Sequence, residues 1–383
     1  MSWGLFRISK PLVSVVIDIG SHAIKIIVFE VSASGGNPRV LKKHVLKILR
    51  VNDPGQGILR LREFLFDTIR HLGRIPQKIL ISFGPRFVRA NIETWNVYCG
   101  PTHRLTNKKE LEACFERMFL EHCPTGKALF AYPLDLLVNG YPAEVSALAT
   151  MYPRDVETVS LRVLFAEFHE GIGAMVAGIR RSLGGMPVEF IPLVASERDV
   201  CVNVLGVRDA LLIDVGGEDT ILTLLKDGRV AATTSFAKGG RNFLSVIEKH
   251  VSVSIDEAAD ITRRYAQGIA GRGLESKIRS LFLEESASWK KGFVSALEMF
   301  YPVAPIPPLI FVFGGGAHIP EIRAALSSGD WLNIYSYVTA PQVRLLEGKS
   351  VFSGDTLGGA IGGPEDVGLA SLIFYAIHPK PLF

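Results

Sequence analysis

Asp18-Ile19-Gly20-Ser21-His22-Ala23-Ile24-Lys25 follows the apolar run that begins at Val13 and opens a second one, Ile24 to Val31. An apolar strand that ends in Asp, turns through Gly and returns as another strand places a tight bend at the end of a hairpin. Glycine allows close approach of the backbone, and successive N–H groups in such a bend attract anions. Ser21 adds a hydroxyl. Asp18 does not sit against a phosphate unaided, so its natural task is to hold water on a magnesium ion. Lys25 falls on the returning strand, within reach of a phosphate.

A hairpin turn would explain this stretch alone. The pattern recurs, however, at Asp214-Val215-Gly216-Gly217-Glu218-Asp219-Thr220, again after an apolar strand (Leu211 to Asp214) and before another (Thr220 to Lys226). A third glycine cluster, Gly314-Gly315-Gly316-Ala317, follows the strand Leu309 to Phe313 and leaves room for a flat base or ribose. Two echoing halves and a third loop, in this order, predict phosphates clamped from two sides with a nucleoside beyond them.

The rest of the 383 residues fits a large globular chain. Hydrophobic residues make up 48% and charged residues 21%, enough to build more than one core. A formal charge of +4 with no dense Lys/Arg run argues against nucleic acid as a partner. Cys99, Cys114, Cys123 and Cys201 form no CxxC pair, which argues against a zinc site or a disulfide framework. The opening Met1 to Lys10 is too short for a signal peptide, and no apolar stretch reaches the roughly 20 residues that span a bilayer. A cytoplasmic protein is expected.

Further strands are expected at Val40 to Leu49, Lys78 to Phe83, Ala131 to Leu137, Glu144 to Met151, Leu161 to Phe168, Val188 to Ile191 and Arg229 to Phe236. Helices are expected at Leu59 to Leu72, from Asn107 to His122, at Gly171 to Leu183, at Ala195 to Leu205, as two patterns within Arg241 to Tyr265, and at Leu274 to Met299. Lys78 to His169 carries its own strand–helix–strands pattern and reads as an inserted module.

At this point the residues resemble a known superfamily. Phosphate loop, phosphate loop and adenosine loop in this order resemble actin, the Hsp70-type chaperones and the sugar kinases. Within that group the chain resembles the bacterial cell-division protein FtsA over nearly its whole length. The resemblance is carried by DIGSHAIK (18–25), PLVASERDVCVNVLGVRDALLIDVGG (192–217), FAKGGRNFLSVIEKHVSVSIDEAADITRRYA (236–266), FVFGGGAHIP (311–320) and the strand–turn AYPLDLLVNGY (131–141) in the inserted module.

The resemblance implies an α/β, ribonuclease H-like duplicated fold with two lobes around a nucleotide cleft and an inserted SHS2-type α+β subdomain. Its expected parts are 11–77 with 170–207, the insertion 78–169, a second actin-like part at 208–238 with 306–383, and a helical lid at 239–305. It also implies ATP and Mg2+ as cofactors. The expected binding residues are Asp18, Gly20, Ser21, Lys25, Asp214, Gly216, Gly217, Thr220, Gly239, Gly240, Gly314, Gly315 and Gly316, with Asp18 and Asp214 acting on the metal. The implied function is a scaffold that self-associates into filaments and links the FtsZ ring to the membrane through the FtsZ tail peptide, with peripheral membrane contact.

The sequence departs from the family pattern in three places. Glu218 and Asp219 stand where the second loop usually has Gly and Thr, and Ile221 replaces its last Asp. The helix after the GG turn lacks the usual Lys, having Ala258-Ala259-Asp260-Ile261-Thr262. The last residues, His378 to Phe383, carry two prolines rather than a membrane-binding helix; Trp3, Leu5 and Phe6 beside Arg7 and Lys10 are the alternative lipid contact. The missing anchor and the opening LFRISKPLVSVVIDIGS (5–21) suit a second reading, a PilM-like adaptor of type IV pilus assembly recruited by a PilN-like peptide. A sugar or acetate kinase is the third, and the inserted module speaks against it.

Overall fold

The computed structural model describes residues 11–379 except 33–35, 48–53, 98–107, 123–128, 147–155, 170–171, 183–185, 301–304, 338, 353–356 and 358. Strands β1 (Leu12–Ile19) and β2 (Ala23–Val31) form the expected hairpin, with Asp18 opposite Lys25. β3 (Arg39–Lys47) adds to it antiparallel. Helix α1 (Pro54–Leu72) crosses over, so β4 (Lys78–Phe83) returns parallel to β1.

A separate four-stranded sheet follows: β5 (Val88–Val97), helix α2 (Lys108–His122), β6 (Leu129–Val138), β7 (Tyr141–Ala143) and β8 (Val159–Phe168), in the order β5-β8-β6-β7. Helix α3 (Ile172–Ser182) leads back to β9 (Val188–Phe190), which completes the first sheet as β3-β2-β1-β4-β9. Helix α4 (Leu193–Asn203) passes to the second half.

There the plan repeats. β10 (Ala210–Val215), β11 (Thr220–Lys226) and β12 (Arg229–Phe236) form the antiparallel meander. Helices α5 (Gly240–Val251), α6 (Ile255–Ala266) and α7 (Arg272–Glu298) make the crossover to β13 (Leu309–Phe313), parallel to β10. Helix α8 (Pro320–Ser327), β14 (Gln342–Leu345) and helix α9 (Val367–Ile377) finish the chain's described part. The second sheet is β12-β11-β10-β13-β14, strand for strand the order of the first. The break between α5 and α6 is written locally: Ser252 turns left-handed at φ 58, and Ser254 caps α6 by accepting from the Glu257 N–H while Glu257 takes the Ser254 N–H.

β1 and β4 are apolar almost throughout because both faces are covered. Val13, Val15, Ile17 and Ile19 face Leu61 and Leu65 of α1 and Val176 of α3. Val16 and Leu80 face the other way, onto Leu369, Leu372 and Ile373 of α9. The last helix therefore belongs with the first sheet, whereas 306–383 was expected to stay with the second. It is apolar all round, and a helix of that kind needs cover on every side.

Two other expectations are corrected. The inserted module does not begin at Lys78: β4 pairs with β1 from Ser14↔Lys78 to Ile19↔Phe83, and the separate sheet starts at Val88. Of the strand expected at Glu144 to Met151, positions 144–146 are not strand and 147–151 lie outside the described residues; a short strand, Tyr141–Ala143, comes just before, set by the Asn139–Gly140 turn where both residues have positive φ. Asn107, Cys99, Cys123 and the Trp3–Lys10 segment also lie outside the described residues. Cys114 and Cys201 are free thiols.

The inserted sheet touches the second half directly. Leu134 and Leu164 pack with Leu212, Leu225, Val230 and Phe311. Arg162 Nη1 donates to Asp135 (2.9 Å) and its Nη2 to the carbonyls of Val230 (2.7 Å) and Ala231 (3.1 Å), while Arg229 flanks the same carboxylate at 3.3 Å.

Candidate functional site

Between the two sheets lies a cleft of ≈ 590 Å³. Both Asp-x-Gly loops and the third glycine loop open into it. On the first side, the Gly20 N–H donates to the Ala23 carbonyl (3.0 Å) and the Gly84 N–H to Ile19 (2.9 Å), fixing the turn after β1. On the second side, the Gly216 N–H donates to the Asp219 carbonyl (2.9 Å). The start of α5 holds this loop from behind: the Gly240 and Arg241 N–H groups donate to the carbonyls of Gly216 (2.9 Å) and Gly217 (2.7 Å). A Cβ on Gly239 would come within 2.6 Å of the Gly217 oxygen, so the contact requires glycine there.

The third loop docks on the second. The Gly316 N–H donates to the Val215 carbonyl at 2.8 Å. Gly314 sits at φ 91, and a Cβ on it would lie 2.1 Å from an Asp214 carboxylate oxygen; only glycine serves at that point. The Gly314 N–H donates to the Pro364 carbonyl (2.9 Å), tying the loop to the segment before α9.

Asp18, Gly20, Ser21, Lys25, Asp214, Gly216, Gly217, Gly240, Gly314, Gly315 and Gly316 all line the cleft. Thr220 and Gly239 do not. The Thr220 hydroxyl donates to the Lys238 carbonyl (2.6 Å) and accepts from the Trp289 indole (3.0 Å), so it is turned into the second core. Gly239 supports the second loop from behind. A Thr that begins a strand alternates with its neighbours, and here Asp219 and Ile221 take the cleft face while Thr220 takes the other.

The charges in the cleft are unevenly matched. Lys25 Nζ donates to the Glu365 carbonyl (2.6 Å) and lies 3.7 Å from Asp18. Asp18 is buried, and burial raises its carboxyl pKa against the pull of Lys25. Burial pushes Asp214 up to about 7; Lys25 opposes the shift and the Asp18 charge adds to it. Glu197, buried on α4, was not singled out from sequence. Burial and then the charges of Asp214 and Asp18 hold its carboxyl well above the usual range, and its Oε1 has no hydrogen-bond partner. Its signal was its place among Leu193, Val194, Ala195 and Val200, a helix face too apolar for a solvated glutamate.

Asp219 lines the cleft with a buried Oδ2 lacking a partner. Glu218 is outside it, between Arg86 (3.6 Å) and Arg241 (3.9 Å). Thr262 and Arg263 of α6, Gln267 just beyond it, Ile319 and Arg323 also line the cleft. His318 and Glu365 pair at 2.6 Å on the rim, and that bond holds the Glu365 carboxyl down to about 2. Among the described residues no cluster of three or more His, Cys, Asp or Glu is arranged to hold a metal. None of their helices is long and apolar enough to cross a membrane.

No protein-family model matches the sequence, and no curated protein matches it. Solved structures do. A chain of the PilM–PilN type IV pilus biogenesis complex aligns at TM-score 0.63 and 16% identity, covering 96% of this chain and 99% of that one. The ethanolamine utilization protein EutJ from Carboxydothermus hydrogenoformans aligns at TM-score 0.48 and 14% identity, covering 95% and 90%. MreB 5 of Spiroplasma citri bound to AMPPNP aligns at TM-score 0.48 and 11% identity, covering 95% and 96%. With its two sheets of identical strand order around one cleft, the chain has the two-lobed, duplicated actin-like fold.

Proposed function

We propose that the chain binds a magnesium nucleotide in this cleft and works as an actin-like adaptor of the PilM kind, recruited by a short peptide of a PilN-like membrane partner. The observation that carries the nucleotide reading is the convergence of three glycine loops and Lys25 on one cleft. Gly20 and Ser21 hold phosphates from one side, Gly216 and Gly217 from the other, and Gly315 and Gly316 border the adenosine. Lys25 supplies the positive charge. Asp18 and Asp214 fit a divalent cation: burial beside a second carboxylate leaves Asp214 short of positive charge, and two carboxylates leave the remaining positions to water and phosphate, as magnesium prefers. The ion would screen the phosphates. A nucleotide that touches both lobes favours their closed arrangement by its differential affinity.

The partner reading is supported by the end-to-end alignment with the pilus complex, which leaves almost no part of either chain over. The division reading, with an FtsZ-like tail peptide, self-association into filaments and peripheral membrane contact, rests on the motif resemblance and the same fold.

Two measurements test these readings. A nucleotide at 100 times its dissociation constant stabilises the fold by about 2.7 kcal/mol, so Mg-ATP should raise the melting temperature; a flat response removes nucleotide from the reading. Fluorescence anisotropy with a PilN-type N-terminal peptide and an FtsZ-type C-terminal peptide separates the partners. Saturable binding of the first alone supports the pilus adaptor, and of the second alone replaces it with the division adaptor.

A further inference from the structure

The two phosphate loops already touch at their tips. The Glu218 N–H donates to the Ser21 hydroxyl at 3.0 Å. A Cβ built on Gly217 would come within 2.7 Å of the His22 Cβ and 3.1 Å of the Ser21 Oγ. Little space is left between the tips, where the last phosphate of a nucleotide chain would sit.

The charges at this end tell the same way. Glu218 stands between Arg86, in the turn that joins β4 to the inserted module, and Arg241, at the start of α5. Both guanidiniums are engaged by a carboxylate of the protein. Asp219 adds a second carboxylate that faces the cleft with one buried oxygen unpartnered. Lys25, by contrast, sits on β2 beside Asp18 and Glu365, away from this tip contact. Phosphates near Lys25 meet a cation and backbone N–H groups. A further phosphate meets the Asp219 carboxylate in the cleft and, at its edge, Glu218 with the two arginines that Glu218 already engages.

We propose that Glu218 is a specificity-determining residue that makes the cleft favour a nucleoside diphosphate over a triphosphate. The inference rests on the nucleotide reading above and goes beyond it. Glu218 acts as a resident anion at the end of the site. It holds Arg86 and Arg241 and, through its N–H, bridges the two lobes at Ser21. A diphosphate leaves this bridge in place. A triphosphate must compete with the carboxylate for the same guanidiniums and spread the loop tips.

The test is isothermal titration of the full chain with Mg-ADP and with the Mg complex of a non-hydrolysable ATP analogue, for wild type, Glu218→Gln and Arg86→Gln. The pairs are partly exposed (22% for Glu218, 47% for Arg86), so screening limits the preference to about tenfold for the diphosphate in the wild type. Glu218→Gln keeps the side-chain volume and the backbone bridge; it should bring the two affinities to parity or reverse them. Arg86→Gln should widen the preference, because it strips compensation from Glu218. These opposite shifts do not arise from a general loss of stability. Equal affinities in the wild type, or an unchanged ratio in Glu218→Gln, overturn this inference alone. Failure of every form to bind either nucleotide overturns the nucleotide reading as well.

Discussion

Asp214→Asn should make the nucleotide-free protein more stable at alkaline pH while weakening magnesium-dependent binding. Asp214 is half-buried in the cleft beside Asp18, and loss of solvent around it moves its carboxyl from 3.8 to about 7. At about 1.4 kcal/mol per pH unit, ionising it in the folded protein costs about 4 kcal/mol more than in the unfolded chain. The sign follows from proton counting. Between pH of about 4 and about 7 the native state holds the proton and the unfolded state has lost it. Stability is therefore fully present below about pH 4 and declines as pH rises through 7. From about pH 5 to about pH 8 the wild type should lose about 2.5 kcal/mol through this group. Asn carries no proton to lose, so the variant should lack that decline. Urea unfolding of both proteins at the two pH values, without magnesium or nucleotide, measures the difference. Parallel pH dependences for wild type and variant would refute the buried-carboxylate account. Adding magnesium to the wild type should offset part of the loss, and the variant, left with Asp18 alone, should gain less from it.

Thr220→Val should cost about 1–2 kcal/mol, because the Trp289 indole and the Lys238 carbonyl each lose a partner, yet leave Mg-ATP affinity unchanged by calorimetry; a large affinity loss would return Thr220 to the site. Gly239→Ala drives a methyl group against the Gly217 carbonyl and should both lower the melting temperature and weaken nucleotide binding, since the second phosphate loop rests on that contact. Asp135→Ala leaves Arg162 half-buried between the inserted sheet and β12 with two backbone carbonyls but no carboxylate; its partial exposure limits the expected loss to about 2–3 kcal/mol, and Asp135→Ala with Arg162→Met should recover much of it in chemical denaturation.

The duplicated half-fold was legible because each half announces itself in the same way. Two apolar strands meet at an Asp-x-Gly turn, and a hairpin is a local structure that neighbouring residues define. Most of the cleft's lining followed, since glycine has few reasons to cluster at the end of an apolar strand. What failed was non-local. Lys78 to Phe83 reads as a strand anywhere, and nothing in its six residues says that it pairs with β1 rather than with the sheet that follows. Helix α9 fell within 306–383, which the resemblance assigned to the second half, although its uniformly apolar surface was a signal that it lies between other elements. β5 escaped notice although Val88 to Glu93 alternates strictly: the alternation slips at Thr94 and resumes out of phase at Trp95 and Val97, so no single face of Val88–Val97 reads as apolar from end to end. Thr220 was misplaced by a single step, which in a strand exchanges one face for the other. Glu197 was missed because a lone glutamate in a helix is ordinarily solvated, and the apolar neighbours Leu193, Val194 and Val200 that mark it as buried were not weighed.

The position of α9 also bears on how the molecule is made. Lys25 and Glu365, bonded across the base of the cleft, are 340 positions apart in the chain, and the helix just beyond Glu365 covers one face of the first sheet. During synthesis, β1, β2 and β4 emerge early, and at roughly 5–20 residues per second they wait tens of seconds for that cover. The first lobe thus leaves the ribosome with an open apolar face, a surface that sticks to chaperones or to other nascent chains. The second lobe waits less: one face of its sheet is covered by α5 to α8 and the other by α4 and the inserted sheet, which are already made. Assembly in the cell should run against the order of the sequence: the later-made half consolidates first, and the earlier-made half closes last, when its final helix arrives.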